Sequence, residues 1–204
     1  FKSDGTSLFM IGSGGDSIYK YALKTPWSLG NGTRGGGVGT PADNDLDARL
    51  IQSASIKFKG GTEEGLPQSF YFKPDGKKLF ILGSAKNKIY EYSLSTPFDV
   101  STLTFVYKLD ISGEETAANS IEFNLDGTKL FVLGQSDDNV DEYALSTGFA
   151  LSTASFTDSF DVSTQEGAPY GLAFNNEGTK MYVVGWNGDD VNAVSYTHLT
   201  LPTN

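Results

Sequence analysis

The chain has 204 residues, a formal net charge of −10, 24 glycines and no cysteine. The charge excludes the positive footprint that nucleic-acid binding requires. The lack of cysteine excludes disulfides, thiolate chemistry and cysteine-based zinc sites, and no apolar run reaches the length of about 18 residues that marks a membrane span.

The first residues, FKSDGTSLFMIG (1–12), carry neither an initiator methionine nor a signal peptide. They are the first copy of a motif that returns as FKPDGKKLFILG (72–83), FNLDGTKLFVLG (123–134) and FNNEGTKMYVVG (174–185). Phe72, Phe123 and Phe174 are 51 residues apart, and Phe1 precedes Phe72 by 71. Such self-similarity marks a repeat architecture. In each copy the turn residues (PDG, LDG, NEG) suit a type I turn with glycine at positive φ, closing a hairpin. The run that follows, such as LFILG, is apolar throughout and predicts a strand covered on both faces.

A second shared segment comes next: IYKYALKTPW (18–27), IYEYSLSTPF (89–98) and VDEYALSTGF (140–149). Its apolar residues alternate, which predicts a strand with one apolar face. A fourth strand, TFVYKLD (104–110) or SFTDSFD (155–161), alternates again. Helix signals are almost absent.

In the first copy the stretch 28–48 is rich in Gly, Asn and Asp and reads as a loop between the third and outermost strands. Gly30, Gly32 and Gly35 fit G-x-G-x-x-G, but no helix follows, so the nucleotide fingerprint lacks its context. Asn31-Gly32-Thr33 fits a glycosylation sequon.

Four antiparallel strands in about fifty residues, repeated, describe the blade of a β-propeller. A β-sandwich is the rival, and such regular repetition argues against it. The motif F-x-x-D-G-x-x-L-[FY]-V, followed by I/V-x-x-Y-x-L, resembles the YVTN and lactonase-like propeller repeats over residues 1–193. That resemblance implies an all-β fold of four-stranded antiparallel blades. It says less about activity, because the group includes sugar lactonases, surface proteins and binding propellers.

The expected organisation is a partial first blade with the Gly-rich insertion (1–67), complete blades at 68–118 and 119–169, and a partial fourth blade (170–193). Closed rings hold about 4 to 8 blades, so the expected architecture is an incomplete propeller, an arc cut from a longer chain. The end, VSYTHLTLPTN (194–204), departs from the repeat and resembles the in-frame translation of a transposon-type sequencing adapter. On that reading it is a non-native tail, and its histidine, His198, carries no inherited chemistry.

The repeated polar feature is a glutamate. Glu64, Glu115 and Glu166 each lie eight residues before the aligned phenylalanine, in loops leading into the innermost strands. A ring of carboxylates there could hold Ca²⁺, a hard cation preferring oxygen. The alternative, that each glutamate bonds backbone N–H groups of its own loop, is favoured. Asp137, Asp138, Asp189 and Asp190 lie in acidic loops between the second and third strands, with Asp16 at the matching place in the first copy. They are candidates for ligand or metal contact, against a reading as turn residues. Trp186 and Tyr170 could stack on a sugar ring.

No catalytic Ser-His-Asp or Cys-His set can be assembled. The leading expectation is a non-catalytic recognition or scaffold module of a secreted, cell-surface or virion-associated protein, taking a glycan or protein ligand. No cofactor is expected apart from a possible Ca²⁺. Its apolar blade faces are expected to meet further blades of a longer chain or to self-associate. The alternative is a metal-dependent hydrolase related to the lactonase-like propellers, for which Glu115 and Asn119 form a local pair.

Overall fold

The structure, a computed structural model, describes residues 1–12, 17–28, 66–188 and 190–195, together with the backbone of 48–55. Fourteen strands are assigned among these residues: β1 (Ser7–Gly12), β2 (Ser17–Leu23), β3 (Ala48–Ser55), β4 (Pro67–Phe72), β5 (Lys78–Gly83), β6 (Lys88–Leu94), β7 (Leu103–Asp110), β8 (Ala118–Phe123), β9 (Lys129–Gly134), β10 (Asn139–Leu145), β11 (Ala154–Asp161), β12 (Pro169–Phe174), β13 (Lys180–Gly185) and β14 (Val191–Ser195). They form four antiparallel sheets of neighbours in chain order: β1–β3, β4–β7, β8–β11 and β12–β14. These sheets are called blades 1 to 4 below. Among the described residues there is no α-helix, only single 3₁₀ turns at Val100–Thr102 and Leu151–Thr153 that the sequence pattern does not foretell.

The hairpin between the first two strands of each full blade forms as the turn chemistry predicts. Gly76 and Gly127 sit at φ 70° and 73°, where glycine has no steric penalty. Asp75 accepts from the Lys77 N–H and Asp126 from the Thr128 N–H, each at 2.9 Å, fixing the turn.

The second strands β5 and β9 are covered on both faces, as their unbroken apolar pattern predicts. In β5, Leu79 and Ile81 face blade 1 while Phe80 and Leu82 face blade 3. The third strands differ from expectation. Their alternation predicts a single buried face, yet β6 and β10 are buried on both, taking Glu91, Asp141 and Glu142 inside. Burying a carboxylate is costly unless it is paired. Lys78 Nζ lies 2.6 Å from Glu91 Oε1 and Lys129 Nζ lies 2.7 Å from Glu142 Oε1. The outermost strands β7 and β11 are largely exposed.

Successive blades meet through one repeated joint. A phenylalanine on a second strand packs on the phenylalanine ending the next blade's innermost strand: Phe9–Phe72 and Phe80–Phe123 at 4.6 Å, Phe131–Phe174 at 4.5 Å between ring centroids. Beside each ring pair an aliphatic pair shares a core cluster: Ile11 with Ile81, Leu82 with Val132, Leu133 with Val183. The core is therefore distributed between blades, and each joint is built by residues 51 or 71 positions apart from their counterparts.

β14 continues past Ala193. Val194 pairs with Met181 and packs in the cluster that holds Met181 and Val183, and Ser195 pairs with Lys180. The Gly-rich insertion, with Gly30, Gly32 and Gly35, lies outside the described residues.

Candidate functional site

The loops leading into β8 and β12 lie beside the loops joining β9 to β10 and β13 to β14, and hydrogen bonds connect them. This end of the blades holds most of the candidate residues. Glu115 is 1% exposed. Its Oε1 accepts from the N–H of Ala117 at 2.5 Å, from the N–H of Ser136 at 3.4 Å, and from the Ser136 hydroxyl. Glu166 repeats the arrangement one blade on. Its Oε1 accepts from the N–H groups of Ala168 (2.9 Å) and Asn187 (3.0 Å), and its Oε2 from that of Gly188 (3.2 Å).

Burial pushes the Glu166 pKa up, but those three backbone donors outweigh it and hold the group below the ordinary glutamate value. Each carboxylate thus ties the start of an innermost strand to the facing loop of the same blade. The glycine ending each second strand makes room for it, since a β-carbon on Gly134 or Gly185 would collide with Glu115 or Glu166. Glu64, the third predicted member, lies outside the described residues, as do Asp16 and Asp189.

The aspartates occupy turns. Asp138 has φ 53°, and its carbonyl accepts from the Val162 N–H at 2.9 Å. Asn87 plays the same part in blade 2 with φ 49°, its carbonyl accepting from the Ile111 N–H. Asp137 is exposed. Asp190 is exposed and accepts from Asn192 Nδ2 at 2.8 Å. Asn119, paired with Glu115 in the hydrolase reading, donates from Nδ2 to the Pro169 carbonyl of the next blade at 2.9 Å. Among the described residues no cluster of three or more His, Cys, Asp or Glu side chains has the geometry to hold a metal ion, and no helix is long and apolar enough to cross a membrane.

Besides the lysine-paired Glu91 and Glu142, two acidic side chains escape the sequence reading. Asp141 is buried on β10 and accepts from the Ser159 hydroxyl at 2.7 Å. Burial raises its pKa; the Ser159 bond opposes this, and the charges of Glu115, Glu114 and Asp137 add to the rise. Glu122 on β8 is pushed up to about 7 by burial, which a bond from the Phe123 N–H offsets only in part. Tyr71, on the neighbouring β4, is pushed up to about 12 by burial and by the charge of Glu122. The signal for both was departure from the repeat: Asp141 stands where blade 2 has Tyr90, and Glu122 where blade 2 has Tyr71.

The aromatic pair is open to solvent. Trp186 is 76% exposed and Tyr170 47% exposed, with ring centroids 6.3 Å apart and planes tilted by 49°.

No protein-family model and no curated protein matches the sequence. Solved structures do. The chain superposes on the β-propeller domain of Cps50 (Swd1) from Myceliophteria thermophila with a TM-score of 0.56 at 11% identity, over 97% of this chain and 52% of that one. The fold is that of a β-propeller. A protein from Bacteroides uniformis, proposed to be a 6-phosphogluconolactonase, matches this propeller with a TM-score of 0.62 at 15% identity over 98% of this chain and 50% of its own. The periplasmic gluconolactonase PpgL of Pseudomonas aeruginosa matches with a TM-score of 0.58 at 17% identity, over 95% and 48%. The chain therefore spans about half the length of these structures. At such identities the likeness is one of fold.

Proposed function

We propose that this propeller is a non-catalytic recognition module that binds a glycan at the loop end of blade 4. The observation that carries the reading is the exposed Trp186–Tyr170 pair. Large aromatic rings are normally buried for the area they remove from water. A pyranose ring presents an apolar C–H face that lies flat on an indole. Its hydroxyls can bond the polar side chains that the same loop carries, Asn187 and Asp190. The carboxylates nearest this end, Glu115 and Glu166, are spent on backbone amides, which supports binding over metal-assisted hydrolysis. A secreted or surface protein is the setting in which such a module meets glycans.

The test is titration of the chain with a panel of neutral oligosaccharides, read by calorimetry. Saturable binding that Trp186→Ala abolishes, with the unfolding midpoint unchanged, is the expected result. The absence of saturable binding across the panel would remove the reading.

A second reading, lactone hydrolysis, is favoured by the likeness to PpgL and to the Bacteroides protein. Turnover of a sugar lactone that Glu115→Gln abolishes while leaving the fold intact would put it first.

A further inference from the structure

We infer that Asn187–Gly188, in the loop joining β13 to β14, is a modification site: it deamidates through a cyclic imide, and Glu166 holds that closure back. The inference does not rest on the glycan reading. Glycine after asparagine leaves this chemistry the least steric resistance, because no side chain crowds the attacking nitrogen. The Gly188 backbone nitrogen forms a bond to Asn187 Cγ, and the Cγ–Nδ2 bond breaks. The proton of that nitrogen leaves with the departing amide as ammonia. Water then opens the imide at either carbonyl, giving aspartate or isoaspartate at 187.

The repeat singles this pair out. Its counterparts are Ser136–Asp137 in blade 3 and Ala85–Lys86 in blade 2. Those four residues are exposed although a further blade follows each pair, so openness belongs to the loop itself. Asn187 and Gly188 are exposed likewise, and among the described residues no group bonds the Asn187 carboxamide. Three described Asp-Gly pairs could form the same imide: Asp4–Gly5, Asp75–Gly76 and Asp126–Gly127. Each is closed off by its turn. The aspartate is a carboxylate, a poor electrophile, and its Oδ1 accepts from the N–H two residues on at 2.9 Å. The glycine N–H bonds a carbonyl inside the turn at 2.7–3.1 Å. The chain's other Asn-Gly pair, Asn31–Gly32, lies outside the described residues.

The Gly188 nitrogen is held by a charge instead. The N–H groups of Asn187 and Gly188 both donate to Glu166, at 3.0 Å to Oε1 and 3.2 Å to Oε2. Successive N–H groups aimed at one anion form a nest. Ring closure must turn the Gly188 nitrogen off the carboxylate and onto Cγ. It must also remove a proton from a nitrogen beside a buried negative charge, which is harder than in water.

The product undoes this brace. A carboxylate at 187 stands close to that of Glu166, and like charges repel. Isoaspartate adds one backbone carbon between the two N–H groups, so they no longer converge. The change is one-way, and it loosens the loop that carries Trp186.

Peptide mapping by mass spectrometry, on the whole chain kept in mildly alkaline buffer, measures the rate at Asn187. Wild type should deamidate there faster in guanidinium chloride than in the fold. Glu166→Ala should raise the rate in the folded chain by roughly tenfold or more, the worth of a charge-assisted hydrogen bond. Glu166→Gln keeps the shape with a neutral acceptor, and it too should exceed wild type. Glu115→Ala removes the matching brace from blade 3 and should leave the Asn187 rate unchanged. Circular dichroism during the incubation separates these effects from unfolding. A folded wild-type rate equal to that in guanidinium, or equal rates in the Glu166 variants and Glu115→Ala, would each overturn the inference.

Discussion

The ring of Phe149 lies over the α-carbon of Gly127, in the space a β-carbon would fill. Phe98 covers Gly76 and Trp27 covers Gly5 in the same way. All three aromatic residues hold left-handed backbone, with φ of 59°, 58° and 63°. Such conformations cost a bulky residue about 1–3 kcal/mol and persist only where the surroundings impose them. Here the N–H of each aromatic residue bonds the carbonyl of the glycine it covers, at 2.9–3.0 Å.

Gly127→Ala should therefore destabilise the protein by about 2–4 kcal/mol, adding a left-handed penalty to displacement of the Phe149 ring. Gly113→Ala is the control. Nothing lies within 4 Å of a β-carbon built there and its φ is not positive, so the change should stay within about 0.5 kcal/mol. Urea unfolding of the two variants measures the difference, and equal midpoints would refute the account.

How much of this was legible in the sequence follows from what each feature depends on. The strands, the hairpin turns and the equivalence of Phe72, Phe123 and Phe174 were legible, because they rest on local pattern and period. The aromatic cover was not. The TPW, TPF and TGF segments read as turns, and only the fold brings their rings back onto a glycine 22 residues upstream. The buried Glu91 and Glu142 were also hidden, since the lysines that neutralise them lie 13 positions away on the neighbouring strand. For the site, the repeated Glu115 and Glu166 were legible as a register and their bonding followed the favoured reading. The exposure of Trp186 depends on tertiary surroundings that no local pattern encodes.

The Glu115 carboxylate accepts from Ala117 and Ser136 through a single oxygen. Glu115→Gln keeps an acceptor there and should cost about 1 kcal/mol. Glu115→Ala strands the Ala117 N–H and should cost about 1–3 kcal/mol. Calcium should leave the melting temperature of wild type and both variants unchanged. Micromolar calcium binding that Glu115→Gln abolishes would turn this carboxylate from a loop brace into a ligand.

Glu91 joins two blades. Its Oε1 takes Lys78 Nζ and its Oε2 accepts from the Leu151 N–H at 2.9 Å, while Lys78 also reaches the Phe149 carbonyl at 2.6 Å. Glu91→Ala leaves a half-buried ammonium and a buried amide without their carboxylate, and should cost about 3–4 kcal/mol. Replacing both partners together, Lys78→Met with Glu91→Leu, should recover a large part of that loss, because an apolar pair removes the cost of burying charge. A double variant no more stable than Glu91→Ala would locate the loss in the amide at Leu151.

The titration of Glu122 should make the protein measurably less stable at neutral pH than in mild acid. Its folded pKa is raised to about 7 from the ordinary value of 4.5, chiefly by burial. A carboxyl with a raised folded pKa stabilises the fold fully below its unfolded value, and this contribution is lost as pH rises through the folded one. The loss therefore falls between about pH 4.5 and pH 7 and levels off above. Glu166 has the opposite sign. Its folded pKa is lowered, so its contribution is present above the ordinary glutamate value and disappears only in acid. Glu122→Gln removes the ionisation and keeps the shape. A tenfold change in an acid's ionisation constant corresponds to about 1.4 kcal/mol, so the variant should exceed wild type by on the order of 2–3 kcal/mol at pH 8 and match it at pH 4. Urea midpoints across pH 4 to 8 read this directly. The wild-type midpoint should fall through that range while the Glu122→Gln midpoint falls less. Parallel curves for the two proteins would show that Glu122 ionises in the fold as freely as in the unfolded chain.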